Sequence, residues 1–268
     1  MRHLTEYKYL FIGFLLLASF YARGQCRGPV HAFVPGEILE YDVYYNWGPL
    51  WLKAAKVSFA ADTIRTGGIK AWKFIATGQS LPSYDWIFKV RDRYESVADF
   101  STLRPLQFYR NTSEGGFRVY NFYQFDYSRQ KLFLQTYTSK RPFSRDTLNI
   151  KGCLFDLLTA AYYARTLHFD EVAPETRFPL TLVVDETTYA LDFVFRGLET
   201  IKNKDNKEYN CMVFTAIAME GSVFKGNEEI RVWITRDQAR IPIKVEASIL
   251  VGSVKAFLRK KTIPAPPG

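Results

Sequence analysis

Between Gly36 and Tyr45 the chain alternates with a period of two. Leu39, Tyr41, Val43 and Tyr45 fall on one face of an extended segment, and Glu40 and Asp42 fall on the other. That period belongs to a strand with one face buried and one face wet. The same alternation returns in Lys53–Ala61, Ala71–Thr77, Phe88–Tyr94, Phe117–Tyr127, Lys131–Tyr137 and Phe178–Val184. It returns again in Thr187–Arg196, Asn210–Met219, Glu229–Thr235, Ile241–Ile249 and Val254–Arg259, about twelve strands in all. Turn residues separate them: Asn46-Trp47-Gly48-Pro49, Thr66-Gly67-Gly68, Glu114-Gly115-Gly116 and Asp185-Glu186. Only Leu154 to Leu167 breaks the rule. There Leu154, Phe155, Leu157, Leu158, Ala161, Tyr162 and Arg165 follow helical spacing with almost no β-branched residues. Asp156 is placed to cap this helix by accepting from the amides of Leu158 or Thr159. Because the helix is apolar nearly all round, it must be covered. The pattern predicts a mainly β fold: a single curved antiparallel sheet, a half-barrel or open barrel, with one central helix packed against it.

Residues 1 to 24 stand apart. Arg2, His3 and Lys8 precede an apolar run from Tyr9 to Phe20, and Ala22-Arg23-Gly24 supplies a small-x-small cleavage site. This is the layout of a cleaved export signal, and the run is short for a membrane span. The expected product is a periplasmic or secreted protein with no later transmembrane span. Removing the signal leaves about 244 of the 268 residues, expected as one β-rich domain from 25 to 268 with its core at 34 to 259. Cys26 follows the cleavage site and raises the alternative of an outer-membrane lipoprotein. Arg23-Gly24-Gln25 is a poor approach for that modification, because Gln25 is not small.

The chain carries a formal charge of +9, and the leader's Arg2, Lys8 and Arg23 against Glu6 account for +2, leaving about +7. A basic exported protein suits anionic lipids or glycans, or simply gains colloidal stability. No motif for nucleic acid is present. Three cysteines, Cys26, Cys153 and Cys211, fit no zinc or redox spacing. Cys153 and Cys211 could form a disulfide in an oxidising compartment, or remain buried thiols.

Chemistry is sparsely supplied. His31 and His168, the histidines left after cleavage, have no second ligand at i+2 or i+4, so no metal or other cofactor is expected. No nucleophile elbow or phosphate loop occurs; Gly221-Ser222-Val223 and Gly252-Ser253-Val254 lack the downstream glycine. Asp92 is the notable acid, since it falls on the apolar face of its strand. A carboxylate there must be paired or have its pKa raised. It is either an anchor or acid within a cavity, or half of an internal salt bridge to Arg104, Arg110 or Arg240. Trp47, Trp51, Tyr84 and Trp86 sit at turns or strand ends, where large rings either plug the sheet or touch a ligand.

Several of these segments form an ordered series. Gly36-Glu37 opens a Tyr-rich strand, Asp92 and Asp99 flank the strand before Leu103-Arg104-Pro105, and Asp156 leads into Ala160 to Arg165. The hairpin from Val232-Trp233 through Asp237 to Arg240-Ile241-Pro242-Ile243-Lys244, with Gly252 beyond, closes the series. Together they resemble the exported bacterial family known as domain of unknown function 3108, over about residues 34 to 259. The resemblance implies a periplasmic or envelope-associated β protein and brings no catalytic residues. The closing hairpin is similar, more loosely, to those of periplasmic lipoprotein carriers, whose incomplete barrels hold acyl chains under helices. This chain departs from them in lacking a helix before its first strand.

The expected function is therefore non-enzymatic: binding of a lipid, acylated peptide or other amphipathic envelope molecule in the concave sheet, with Trp47, Trp51, Tyr84, Trp86 and Asp92 as candidate contacts. A ligand-free scaffold with a fully packed core is the first alternative. A carbohydrate-active enzyme using Asp92 and a second acid is the other.

Overall fold

The computed structural model describes residues 32–47, 50–169, 172–218, 229–248 and 253–264. The expected export signal and Cys26 lie outside them. Among the described residues fifteen strands make one sheet. The first eight form a meander: β1 (Glu37–Trp47), β2 (Leu50–Thr66), β3 (Ile69–Ser80), β4 (Val90–Asp99), β5 (Pro105–Glu114), β6 (Phe117–Asp126), β7 (Lys131–Thr138) and β8 (Arg141–Asn149). A two-residue strand β9 (Leu154–Phe155) leads into the helix α1 (Leu157–Ala164). The second meander is β10 (Arg177–Val184), β11 (Thr187–Lys202), β12 (Glu208–Ala218), β13 (Ile230–Thr235), β14 (Pro242–Ser248) and β15 (Ser253–Thr262). Their order runs β8 to β1, then β15 down to β9, so pairing of β1 with β15 joins the two meanders. Every pairing is antiparallel except β9 with β10. We call the end where β1, β3, β5 and β7 finish the upper rim.

Three strands had no signal in the alternation, for identifiable reasons. In β8 the residues from Arg141 to Thr147 are all exposed, so an edge strand without a buried face shows no apolar period. In β5 the inward positions include Arg110 and Thr112 beside Phe108, and the polar ones hide the pattern. Strand β9 is too short to show a period and takes the first two residues of the expected helix. The helix ends at Ala164, with Arg165 as its C-cap. Its N-cap is as expected: Asp156 accepts from the amides of Leu158 and Thr159, each at 2.9 Å.

The sheet curls without closing. Among the described residues its free edges are β8 and β9, and the two halves meet through side chains. The β10–β11 turn reaches across to the other meander: Tyr123 Oη donates to the Asp185 carbonyl at 2.7 Å, and Thr136 Oγ1 donates to Glu186 at 2.6 Å. Asn121 donates to the Asp185 carboxylate, and Ser144 adds a second donor to that of Glu186. Asp185 has a positive φ of 54° in this tight turn, a conformation that the short polar side chain of aspartate tolerates better than most.

Inside the curl α1 is the plug. Tyr162 stacks on Phe74 with centroids 3.9 Å apart, and Phe33 and Trp72 close around them. On the other flank Phe169, Phe178, Phe193 and Phe214 pack together. A second buried group joins Leu39, Tyr41 and Leu258 to Cys211, Val213 and Trp233. Among the described residues no helix is long and apolar enough to cross a membrane.

Candidate functional site

The helix is buried at Leu158, Thr159, Ala160, Tyr162 and Tyr163, yet Ala161 is exposed. Beside Ala161 the curl is not filled. A cavity of about 450 Å³ lies between α1 and the inner faces of β1, β2, β11 and β13 to β15. That volume falls within the roughly 300–1,000 Å³ common for small-molecule sites. Val57, Phe59, Phe193, Val232, Val245 and Ala256 supply most of its wall, which is apolar almost throughout.

Strand register sets its depth. Leu39, Tyr41 and Ile234, nearer the lower end, are buried. Val43, Ile230 and Val254, nearer the upper rim, are only half-buried. The cavity is thus closed below and opens toward the upper rim.

Its base is polar and densely bonded. Arg165 follows the last turn of α1 and is buried against Glu37, with Nη1–Oε1 at 2.6 Å and Nη2–Oε2 at 3.0 Å. The same guanidinium donates to the carbonyls of Ala32, Ala239 and Arg240. Tyr41 Oη donates to the Pro242 carbonyl at 2.9 Å. Tyr162 also stands in the wall, and its buried phenol has no hydrogen-bond partner among the described residues. Burial raises the pKa of both phenols, so each stays a neutral donor.

The candidates named from sequence lie elsewhere. Trp51 is on the outer part of β2, with Lys255 Nζ 4.2 Å above its ring. Tyr84 ends a short 3-10 turn, Pro82–Tyr84, in the β3–β4 connection. Trp86 follows it, 82% exposed, its indole N–H bonded to the Ser83 carbonyl. Trp47 ends β1; its side chain lies outside the described residues. None of Trp51, Tyr84, Trp86 and Asp92 lines the cavity. The sequence carries no signal for the cavity, because Val43, Val57 and Ala256 keep the same alternation as packed core positions, and alternation does not tell a filled face from an empty one.

Cys211 is a buried free thiol. Of the two readings of Cys153 and Cys211, a disulfide between them is therefore ruled out, while Cys153 is itself disulfide-bonded. Burial, with help from Glu199 and Asp237, pushes the Cys211 thiol up to about 11, which leaves it unreactive.

The chain matches the family model DUF3108, described as a protein of unknown function, over residues 40–259. It belongs to the DUF3108 family. No curated protein matches this DUF3108 chain. Among solved structures, a β-barrel-like protein of the domain of unknown function DUF1849 from Brucella abortus has a TM-score of 0.56 at 10% identity, covering 87% of this chain and 99% of that one. Likeness at that identity extends to the fold alone. A candidate lipoprotein from Parabacteroides distasonis, 8% identical over 86% of this chain and 98% of its own, has a TM-score of 0.31 and carries no argument.

Asp92 in this DUF3108 chain has no arginine within ion-pair distance among the described residues. Arg110 is taken by Asp185 at 3.4 Å, Arg104 lies over the Tyr127 ring, and Arg240 donates to the Leu167 carbonyl. The carboxylate accepts from the Ser113 amide at 3.2 Å. Burial, and then the nearby Glu114 carboxylate, push Asp92 up to about 6. The folded chain therefore holds this proton more tightly than the unfolded chain. Its contribution is present in mild acid and is lost as pH rises through about 6. Asp92→Asn is expected to stabilise the protein at pH 7.5 by about 1 kcal/mol, discounted for partial solvent contact, and to change nothing at pH 4. Urea midpoints at the two pH values test this; a loss of stability at pH 7.5 would mean the ionised carboxylate is properly partnered.

Proposed function

We propose that this protein is a non-enzymatic binder of an acyl-chain amphiphile, acting in the cell envelope after export. The observation that carries the proposal is the cavity of about 450 Å³, apolar in its walls, closed at its base and open at one end. An apolar tail buried there gains about 0.8 kcal/mol per methylene taken from water. Tyr162 supports a polar contact as well, because a phenol buried without a partner is costly and a ligand carbonyl or carboxyl oxygen would satisfy it. Arg165 is poorly placed for that task, since its donors are already spent on Glu37 and three carbonyls. The expected export signal and the basic charge fit an envelope setting.

Native mass spectrometry with organic extraction, on mature protein purified without detergent from its own envelope, tests the proposal. One amphiphile per chain is expected. Ala256→Phe, which fills the cavity from β15, is expected to abolish it. Tyr162→Phe is expected to weaken binding several-fold, from a lost hydrogen bond worth about 1 kcal/mol. An apo mass, together with no uptake of a fluorescent fatty acid by the wild type, would sink the proposal and favour the ligand-free scaffold.

A further inference from the structure

The β3–β4 connection leaves three consecutive large apolar side chains in water: Trp86 at 82% exposure, Ile87 at 48% and Phe88 at 53%. An isolated exposed apolar residue needs no explanation, but a continuous apolar patch does. This one continues across the upper rim. The Phe88 ring lies over Gly115 in the β5–β6 turn, where a side chain would collide with it. Phe117 begins β6 just beyond that turn, 39% exposed, and Phe143, 50% exposed, stands beside the β7–β8 turn.

The loop that presents them is firmly built. Ile87 and Phe88 donate their amides to the Tyr84 carbonyl at 3.0 and 3.1 Å, and the Gly115 amide ties the Lys89 carbonyl to β5. Asp85 binds Arg91 and Ser80 at the root of the loop. The apolar tip is therefore held outward by polar bonds beneath it, and it does not fold back onto the sheet.

Cations are interleaved with these rings. Lys140 Nζ is 5.7 Å from the Phe117 centroid, and the Arg145 guanidinium is 5.7 Å from that of Phe143. Lys89 and Arg118 are exposed at the same rim. None of these four cations has an ion pair among the described residues. Of the acids nearby, Asp85 is paired with Arg91 and Glu186 with Arg141, while Glu114 is exposed. The patch is apolar at its tip and cationic at its margin.

The geometry points to this rim as a docking surface for a bilayer rich in anionic phospholipid, with Trp86, Ile87 and Phe88 entering the headgroup region. Trp and Phe favour that interface, and lysine and arginine around them meet the phosphates. The opposite end of the sheet has exposed Ile69, Leu198 and Ile263, with no tryptophan and no run of three. The cavity opens toward the same rim, so docking there would face its mouth to the lipid. The inference goes beyond the cavity proposal and does not depend on what fills the cavity.

Flotation of the mature, full-length protein with vesicles is the test. One set is pure phosphatidylcholine, the other holds about three parts in ten phosphatidylglycerol. Wild type is expected to float with the anionic vesicles at least tenfold more than with the neutral ones, and to lose most of that binding as salt rises and shortens the screening length. Trp86→Ser/Phe88→Ser, which alters exposed side chains only, is expected to lose binding at least tenfold while keeping the wild-type urea midpoint. Ile69→Ser/Leu198→Ser at the far end is expected to float like wild type, as is the cavity-filled Ala256→Phe. The inference is overturned if wild type stays in the pellet, if both serine variants lose binding equally, or if the rim variant instead abolishes a dimer of a chain that ignores vesicles.

Discussion

Glu37→Ala is expected to cost about 3–5 kcal/mol of folding stability, the range found when one member of a buried ion pair is deleted. Both partners are almost fully enclosed, Arg165 at 4% side-chain exposure and Glu37 at 1%. Deleting the carboxylate strands a guanidinium charge away from water. Glu37→Gln keeps an acceptor and is expected to lose less. Arg165→Met should be at least as damaging as Glu37→Ala, for a further reason: it also orphans the carbonyls of Ala32, Ala239 and Arg240. A buried pair can often be exchanged for apolar residues without loss. Here Glu37→Leu/Arg165→Met is expected to recover only part of the damage, because those carbonyls stay unsatisfied. Urea unfolding of the four variants checks this, with the midpoint moving at constant slope. A loss below about 1 kcal/mol in Glu37→Ala would show that the charge escapes to solvent, as surface pairs do. The position of the pair matters for the cavity too, since it ties α1 to the start of β1 and to the β13–β14 turn.

Where a physical signal is local, the sequence displays it. The face shared by Leu39, Tyr41, Val43 and Tyr45 is the inner face of β1, and the switch to helical spacing after Leu154 marks the one α-helix among the described residues. The Asp156 cap depends only on residues two and three positions away. Signals that need the fold are silent in sequence. Glu37 and Arg165 are 128 residues apart, and nothing around either announces the other. Arg165 even passes for one more member of a helical stripe. The cavity is hidden for a related reason: an inward valine at Val57 or Val245 has the same pattern whether its neighbour is a ring or a void. The tryptophans stood out because large rings at turns invite a role, but Trp51 and Trp86 lie outside the concavity. Their exposure is a property of the rim, visible only when the turns of β3–β4, β5–β6 and β7–β8 are brought to one end.

Asp156→Ala is expected to be nearly as costly as breaking the Glu37–Arg165 pair, on the order of 4 kcal/mol. The carboxylate is fully buried and accepts from Ser96 Oγ at 2.6 Å, Thr159 Oγ1 at 2.8 Å and the amides of Leu158 and Thr159. An N-cap alone contributes about 1–2 kcal/mol. The two hydroxyls add more, because burial leaves them no water to turn to, and an orphaned buried donor costs about 1–3 kcal/mol. Ser96 lies on β4, so the same carboxylate fixes the entry of α1 onto the sheet as well as its first turn. Burial raises the Asp156 pKa, which sets part of this gain against the cost of enclosing a charge. Asp156→Asn keeps one acceptor oxygen without the charge, and is expected to lose only about 1–2 kcal/mol. Ser96→Ala is expected to lose about 1 kcal/mol, since it removes one donor and leaves the cap intact. Thermal and urea unfolding of the three variants measure the ranking. If Asp156→Ala proved no worse than Ser96→Ala, the first turn of α1 would be held by packing of Leu158 and Tyr162 alone. The hydrogen bonds at its start would then follow the helix rather than place it.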